Sequence, residues 1–250
     1  MKTLLLSGIA LAMLTIGASA QTVRLGTEGA YEPWNFMDAS GQVAGLDIDV
    51  GNALCERAGL TCEWVINDWD TIIPNLLAGN YDAILAGMSI TEERQQSIDF
   101  TADYSPPDVS RFMVLTGTTL DFDALQNARV GVQSNTIQAG YAQDNLATGN
   151  SIVAFEVAPQ ALADLSAGAI DVILADESYV AEIVANSGGA FELIGPEIEI
   201  GGGVGAGLRK SDTELKARLD EALAAAKADG TIDSLIAKWF PQREGPFYLN

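Results

Sequence analysis

A guanidinium, two carboxylates and two large aromatic rings are the groups in this chain best placed to act on a small molecule: Arg94, Glu28, Asp176, Tyr31 and Trp69. Arg94 closes the stretch Ser89-Ile90-Thr91-Glu92-Glu93-Arg94, which reads as a strand end running into a helix start. Thr91 can cap that helix, and Glu92 and Glu93 suit its positive end. An arginine in a first helical turn is unfavourable for the dipole, but it can grip a carboxylate through two parallel N–H bonds. The plainer alternative is a solvated arginine paired with Glu93 or Asp99. Asp176 follows the apolar run Val172-Ile173-Leu174-Ala175. It is placed to take an ammonium group, or simply to cap the next helix. Glu28 is either a second carboxylate for a cationic tail or an exposed loop acid. Tyr31 and Trp69 either flank an extended chain with their ring faces or pack in the core.

Other chemistries are excluded by composition. The 250 residues contain no histidine, which removes the usual general base, the commonest metal ligand and the standard nucleophile triad. Two cysteines cannot supply a four-thiolate zinc site. Gly201-Gly202-Gly203 lacks the lysine and strand context of a phosphate cradle. No metal and no cofactor is expected. The balance of 13 Lys+Arg against 34 Asp+Glu gives a net charge of -21, which repels nucleic acid and anionic membrane surfaces.

The elements that must position these groups alternate. Val23–Thr27 and Cys62–Val65 read as strands, Ile48–Ala58 and Trp69–Ala78 as helices, and Tyr81–Ala86 as a buried strand. Such alternation predicts an α/β fold around mostly parallel sheet. An internal echo is present. Residues 76–86 and 165–175 both read as helix end, Gly stop, turn, Asp and apolar strand, and Val23–Thr27 pairs with Arg129–Gln133. Two similar lobes would produce this, as would convergent helix–turn–strand grammar. Ser105-Pro106-Pro107-Asp108 and Gly201–Gly205 mark chain crossings. The expected organisation is lobe 1 at 21–107 and 206–250, lobe 2 at 108–205, and a cleft between them with two hinge crossings. Ligands of open α/β sheets sit beyond the carboxyl ends of the strands. That rule directs Glu28, Tyr31, Ala86–Arg94, Gln133–Gln138 and Asp176 toward the cleft.

Residues 1–20 read as a secretory signal peptide, with Lys2 as the basic start, an apolar stretch from Leu4 to Ile16, and Ala18-Ser19-Ala20 before the cleavage point. Export implies an oxidising compartment, where Cys55 and Cys62 are expected to form a disulfide rather than remain two thiols.

Several stretches carry a family resemblance: Gly45–Val50, the Cys55 and Cys62 pair, Asp68–Pro74, Ser89–Gln96 and Gly205–Lys210. Through them nearly the whole mature chain resembles the periplasmic solute-binding proteins of polar amino acid ABC importers, most nearly the lysine/arginine/ornithine- and histidine-binding kinds. The resemblance implies a two-lobe, type II periplasmic binding protein fold. It implies a monomeric periplasmic receptor for an L-amino acid, most often a basic one, working with an inner-membrane ABC permease. By resemblance, Arg94 and Thr136 would hold the ligand α-carboxylate, and Asp176 with Ser89 the α-ammonium. Tyr31 and Trp69 would sandwich the side chain, and Glu28 would stand where cation-binding relatives carry a distal aspartate. The chain departs from the pattern at Ala86 and Gly87, where serines are common, at Gln133 in place of leucine, and at Ile137 in place of threonine. These departures leave arginine, ornithine, citrulline or an amino acid conjugate such as an opine open as ligands. The rival of another class is a cyclohexadienyl dehydratase-like enzyme on the same fold, with Glu28 or Asp176 as its general acid.

Overall fold

The computed structural model describes residues 22–249. The expected signal peptide at 1–20 lies outside the described residues. The first part of the chain runs β1 (Thr22–Thr27), the short strands β2 (Ala30–Tyr31), β3 (Asn35–Met37) and β4 (Val43–Ala44), α1 (Leu46–Arg57), β5 (Thr61–Ile66), α2 (Trp69–Leu77), β6 (Ala83–Ile84), α3 (Glu92–Ser97) and β7 (Asp99–Ser105). The middle runs β8 (Ser110–Leu115), β9 (Arg129–Gln133), α4 (Ile137–Asn145), β10 (Ser151–Phe155), α5 (Ala158–Ser166), β11 (Val172–Asp176), α6 (Glu177–Asn186) and β12 (Phe191–Ile198). The chain closes with β13 (Val204–Leu208), α7 (Thr213–Ala228) and α8 (Thr231–Trp239).

Two five-stranded sheets result, ordered β5-β1-β6-β13-β7 and β10-β9-β11-β8-β12, with β2-β3-β4 as a small third sheet. The chain passes to the second large sheet between β7 and β8 and returns between β12 and β13. The expectation of mostly parallel sheets needs correction. β1 is parallel to β5 and β6, and β9 to β10 and β11, but β13 and β8 run antiparallel to both of their neighbours. The physical reason lies in the crossings. β8 and β13 are the first strands after each passage, and each inserts fourth in its sheet with reversed direction. The strand expected at Tyr81–Ala86 also shortens to Ala83–Ile84, because its partner β1 pairs with it only through Leu25 and Gly26 before the chain turns toward the cleft.

The internal echo has a structural counterpart. Arg24 donates to Asp82 from Nε (3.2 Å) and Nη2 (3.0 Å), and from Nη2 to the Gly79 carbonyl (2.9 Å). Arg129 repeats the clasp on Asp171 (3.0 and 2.7 Å) and on the Gly168 carbonyl (2.9 Å). These pairs set the register of the echo as Arg24 on Arg129, one residue along from the first-on-first pairing of the two sequence segments. In that register Gly26 matches Gly131. A Cβ on Gly26 would strike the Tyr81 ring at 2.6 Å, and one on Gly131 would strike Ile170 at 2.3 Å. The missing side chain thus lets the residue before each Asp pack against the strand. Two residues further on, the same register matches Glu28, just past β1, with Gln133 at the end of β9.

α1, α7 and α8 bury Leu46, Val50, Leu54, Leu219, Leu223, Ile232 and Ile236 beside the β1 and β13 residues Leu25, Ala206 and Leu208. Cys55, near the end of α1, is bridged to Cys62 in β5 across a sequence separation of 7. So short a closed loop contributes about 2–3 kcal/mol through the unfolded chain. Replacing both cysteines by serine should lower Tm by about 5–10 °C while leaving far-ultraviolet circular dichroism unchanged. An unchanged Tm would show that the bridge adds nothing to stability.

Candidate functional site

The carboxyl ends of β1, β6, β9 and β11 converge on one cavity. Its lining includes the ten residues that the family resemblance singled out: Glu28, Tyr31 and Trp69, then Ala86, Gly87, Ser89 and Arg94, and from the other sheet's side Gln133, Thr136 and Asp176. Ile137 and Gln138 complete it.

Arg94 comes from α3. The Thr91 hydroxyl accepts from the Arg94 backbone N–H (3.1 Å), the cap foreseen for this helix. The guanidinium donates from Nη1 to the Ser89 carbonyl (2.8 Å) and lies 5.3 Å from the centroid of the Trp69 ring. Among the described residues it enters no ion pair, so neither Glu93 nor Asp99 claims it. One carbonyl satisfies few of the five N–H donors of a guanidinium. Burial pulls its pKa down to about 10, against the pull of Asp176 and Glu93, so it stays charged at neutral pH.

Asp176 stands at the N-cap position of α6, yet its side chain makes no cap bond. Asp108 takes the Ser178 N–H instead (3.1 Å). This frees the Asp176 carboxylate for the cavity. It accepts from Tyr31 Oη (2.8 Å) and from Gln138 Nε2 (2.7 Å). Burial and the nearby Asp108 raise its pKa, and Tyr31, Gln138 and Arg94 oppose the rise. The Tyr31 ring is stacked on Tyr179, with centroids 4.3 Å apart, so the Tyr179 side of Tyr31 is occupied.

Glu28 is only 6% exposed and accepts from Gln133 Nε2 (2.7 Å). Burial pushes its pKa up to about 7. The Thr136 hydroxyl is committed to its own turn. It donates to the Gln133 carbonyl (2.7 Å) and accepts from Ala139 N–H (3.1 Å), capping α4. Gly87 has φ of +58°, and a Cβ there would lie 3.3 Å from the Trp34 ring. A side chain at this position would crowd the Trp34 ring.

Further contacts join the two sides of the cleft outside the cavity. Asp70 accepts from Ser134 Oγ (2.6 Å) and Asn135 Nδ2 (2.9 Å), and Trp34 Nε1 donates to Ser178 Oγ (2.7 Å). Sequence reasoning placed Gln138 only within a turn directed at the cleft, and it missed Tyr179. Gln138 is the second residue of α4 and Tyr179 sits in α6, and helix periodicity gives no signal for a side chain's partner across a cleft. Among the described residues no cluster of side chains could hold a metal ion, and no helix is long and apolar enough to cross a membrane.

Comparison with known proteins finds similarity along almost the whole chain. Residues 23–242 match the bacterial extracellular solute-binding proteins, family 3. The lysine/arginine/ornithine-binding periplasmic protein of Escherichia coli (strain K12) is 36% identical over 245 residues, covering 94% of each chain. The L-arginine-binding protein of Pseudomonas aeruginosa is 34% identical, covering 96% of each. Among solved structures, a periplasmic His/Glu/Gln/Arg/opine family-binding protein from Silicibacter pomeroyi, in complex with lysine, superposes with a TM-score of 0.84 at 46% identity. That match covers 90% of this chain and all of the other, 100%.

The raised pKa of Glu28 fixes a pH dependence. A carboxyl whose folded pKa exceeds its unfolded value contributes stability that is complete below about 4.5 and lost as pH rises through about 7. Glutamine at position 28 mimics the protonated form. The Tm of the wild type relative to Glu28→Gln should therefore fall between pH 4.5 and 7 and level off above. A difference that is flat across this window would mean that Glu28 titrates normally.

Proposed function

The chain belongs to family 3 of the bacterial extracellular solute-binding proteins, and we propose that it is the periplasmic receptor of an amino acid ABC importer, binding a basic L-amino acid. One observation carries the reading. A guanidinium with unused donors and a carboxylate free of its capping duty face one cavity from the sides of the two large sheets. An α-amino acid carries the two complementary charges on one carbon, and binding both satisfies groups that are costly to keep desolvated alone.

In this reading Arg94 takes the α-carboxylate by charge-assisted bonds, beside the amino end of α4 at Thr136. Asp176 takes the α-ammonium, with Ser89 close by. Tyr31 and Trp69 flank the side chain, whose cationic end reaches Glu28. Residues 21–107 with 206–250 form one lobe and 108–205 the other, with the hinge at the two passages. Arg94 and Asp176 belong to different lobes, so the ligand engages both only when the cleft is shut. It therefore shifts the open–closed equilibrium by the difference in its contacts with the two states. The closed receptor, monomeric, hands its load to a membrane permease.

The relatives named above are binding proteins, which supports a receptor over an enzyme. The geometry argues the same way. A general acid must hold a proton toward substrate, whereas Asp176 accepts hydrogen bonds at both of its oxygens.

Titration calorimetry with basic L-amino acids should give one-to-one binding, with the compound recovered unchanged. Its disappearance would identify an enzyme. Arg94→Ala should cost at least about 2–3 kcal/mol of binding free energy. Wild-type affinity in that variant would remove Arg94 from the site.

A further inference from the structure

We propose that Gln133 is a specificity-determining residue, turning the Glu28 end of the cavity into a pair of acceptor oxygens that favours a guanidinium-terminated side chain over an ammonium-terminated one. The inference rests on the receptor reading above and narrows its ligand.

Gln133 and Glu28 occupy equivalent positions in the two halves of the fold and meet across the cleft. The Gln133 amide nitrogen donates to Glu28 Oε1 (2.7 Å) and to the Glu156 carbonyl (3.2 Å). A backbone carbonyl can only accept, and so can an ionised carboxylate. The amide must therefore turn its nitrogen to both, which spends its two N–H groups and leaves its oxygen as the free atom. Among the described residues no protein donor reaches Gln133 Oε1 or Glu28 Oε2. Neither atom is among the fully buried, unpartnered ones, so both keep access to open space, and both residues line the cavity.

This pairing changes what Glu28 can bind. With Oε1 already taken by the amide, the carboxylate is hindered from accepting a two-pronged guanidinium on its own two oxygens. The second prong is met by Gln133 Oε1. A planar fork with donors on adjacent nitrogens suits two acceptors on neighbouring side chains, whereas an ammonium is a compact charge that gains less from a fixed pair. Asp68 and Asp70 lie close enough to make a negative charge on Glu28 less favourable, which strengthens the demand for a cation at this end. A neutral carboxamide or apolar tail leaves that demand unmet.

The test is calorimetry with L-arginine, L-lysine and L-glutamine on the wild type, Gln133→Leu and Gln133→Met. The methionine variant keeps the length of the side chain without its amide, in case leucine disturbs folding; thermal melts report the folded state of each. The wild type should favour arginine over lysine by about tenfold or more, and both variants should lower that ratio by about tenfold. An unchanged ratio, with all ligands weakened equally, would reduce Gln133 to a cleft-closing contact and overturn the proposal. A wild-type preference for lysine would overturn it as well. Failure of every amino acid to bind would instead strike the receptor reading itself.

Discussion

Charge withdrawn from water must be answered by opposite charge or by hydrogen bonds, and this cleft answers its own charges only in part. Arg94 has one carbonyl and an aromatic face. Asp176 has a phenol and an amide. These neutral partners hold each charged group in place without cancelling its charge. A small zwitterion would complete the set, in keeping with polar side chains lining a cavity built at the ends of apolar strands.

The same contacts govern motion. Tyr31 with Asp176, Gln133 with Glu28, Asp70 with Ser134 and Asn135, and Trp34 with Ser178 all bind one side of the cleft to the other. Each favours closure without any ligand. A receptor must keep the sum of such contacts small enough that ligand still shifts the balance. Hydrogen bonds between neutral or singly charged groups are suited to this, since each is worth only about 0.5–3 kcal/mol net.

The repeated half-fold places the site. The clasp of Arg24 on Asp82 and that of Arg129 on Asp171 tie the amino ends of equivalent strands, far from the cleft. With those ends fixed, the carboxyl ends of β1 and β9 present Glu28 and Gln133 as matched residues from two directions. The symmetry is broken where function needs it. Gly87 and Asp176 are equivalent in the echo, yet one yields to Trp34 and the other carries the charge.

The positions facing the cavity were legible in the sequence, because strand ends, glycine stops and helix caps are local signals. Those signals directed the segments after β1, β6, β9 and β11 toward it, the family resemblance singled out the ten residues that line it, and Thr91 caps α3 as its type and place required. Local signals also gave β9 to the residue, but they overran β6, whose length depends on how much of β1 it meets. Strand direction was misjudged for the same reason: β8 and β13 take theirs from the crossings, not from their own residues. The sequence alone thus determined which chemical groups stand at the strand ends. Only the tertiary structure decided their partners, since the bonds that define the site join residues 105 and 145 positions apart. No periodicity of 2 or 3.6 residues reaches that far; such pairings follow from how elements of the two large sheets meet.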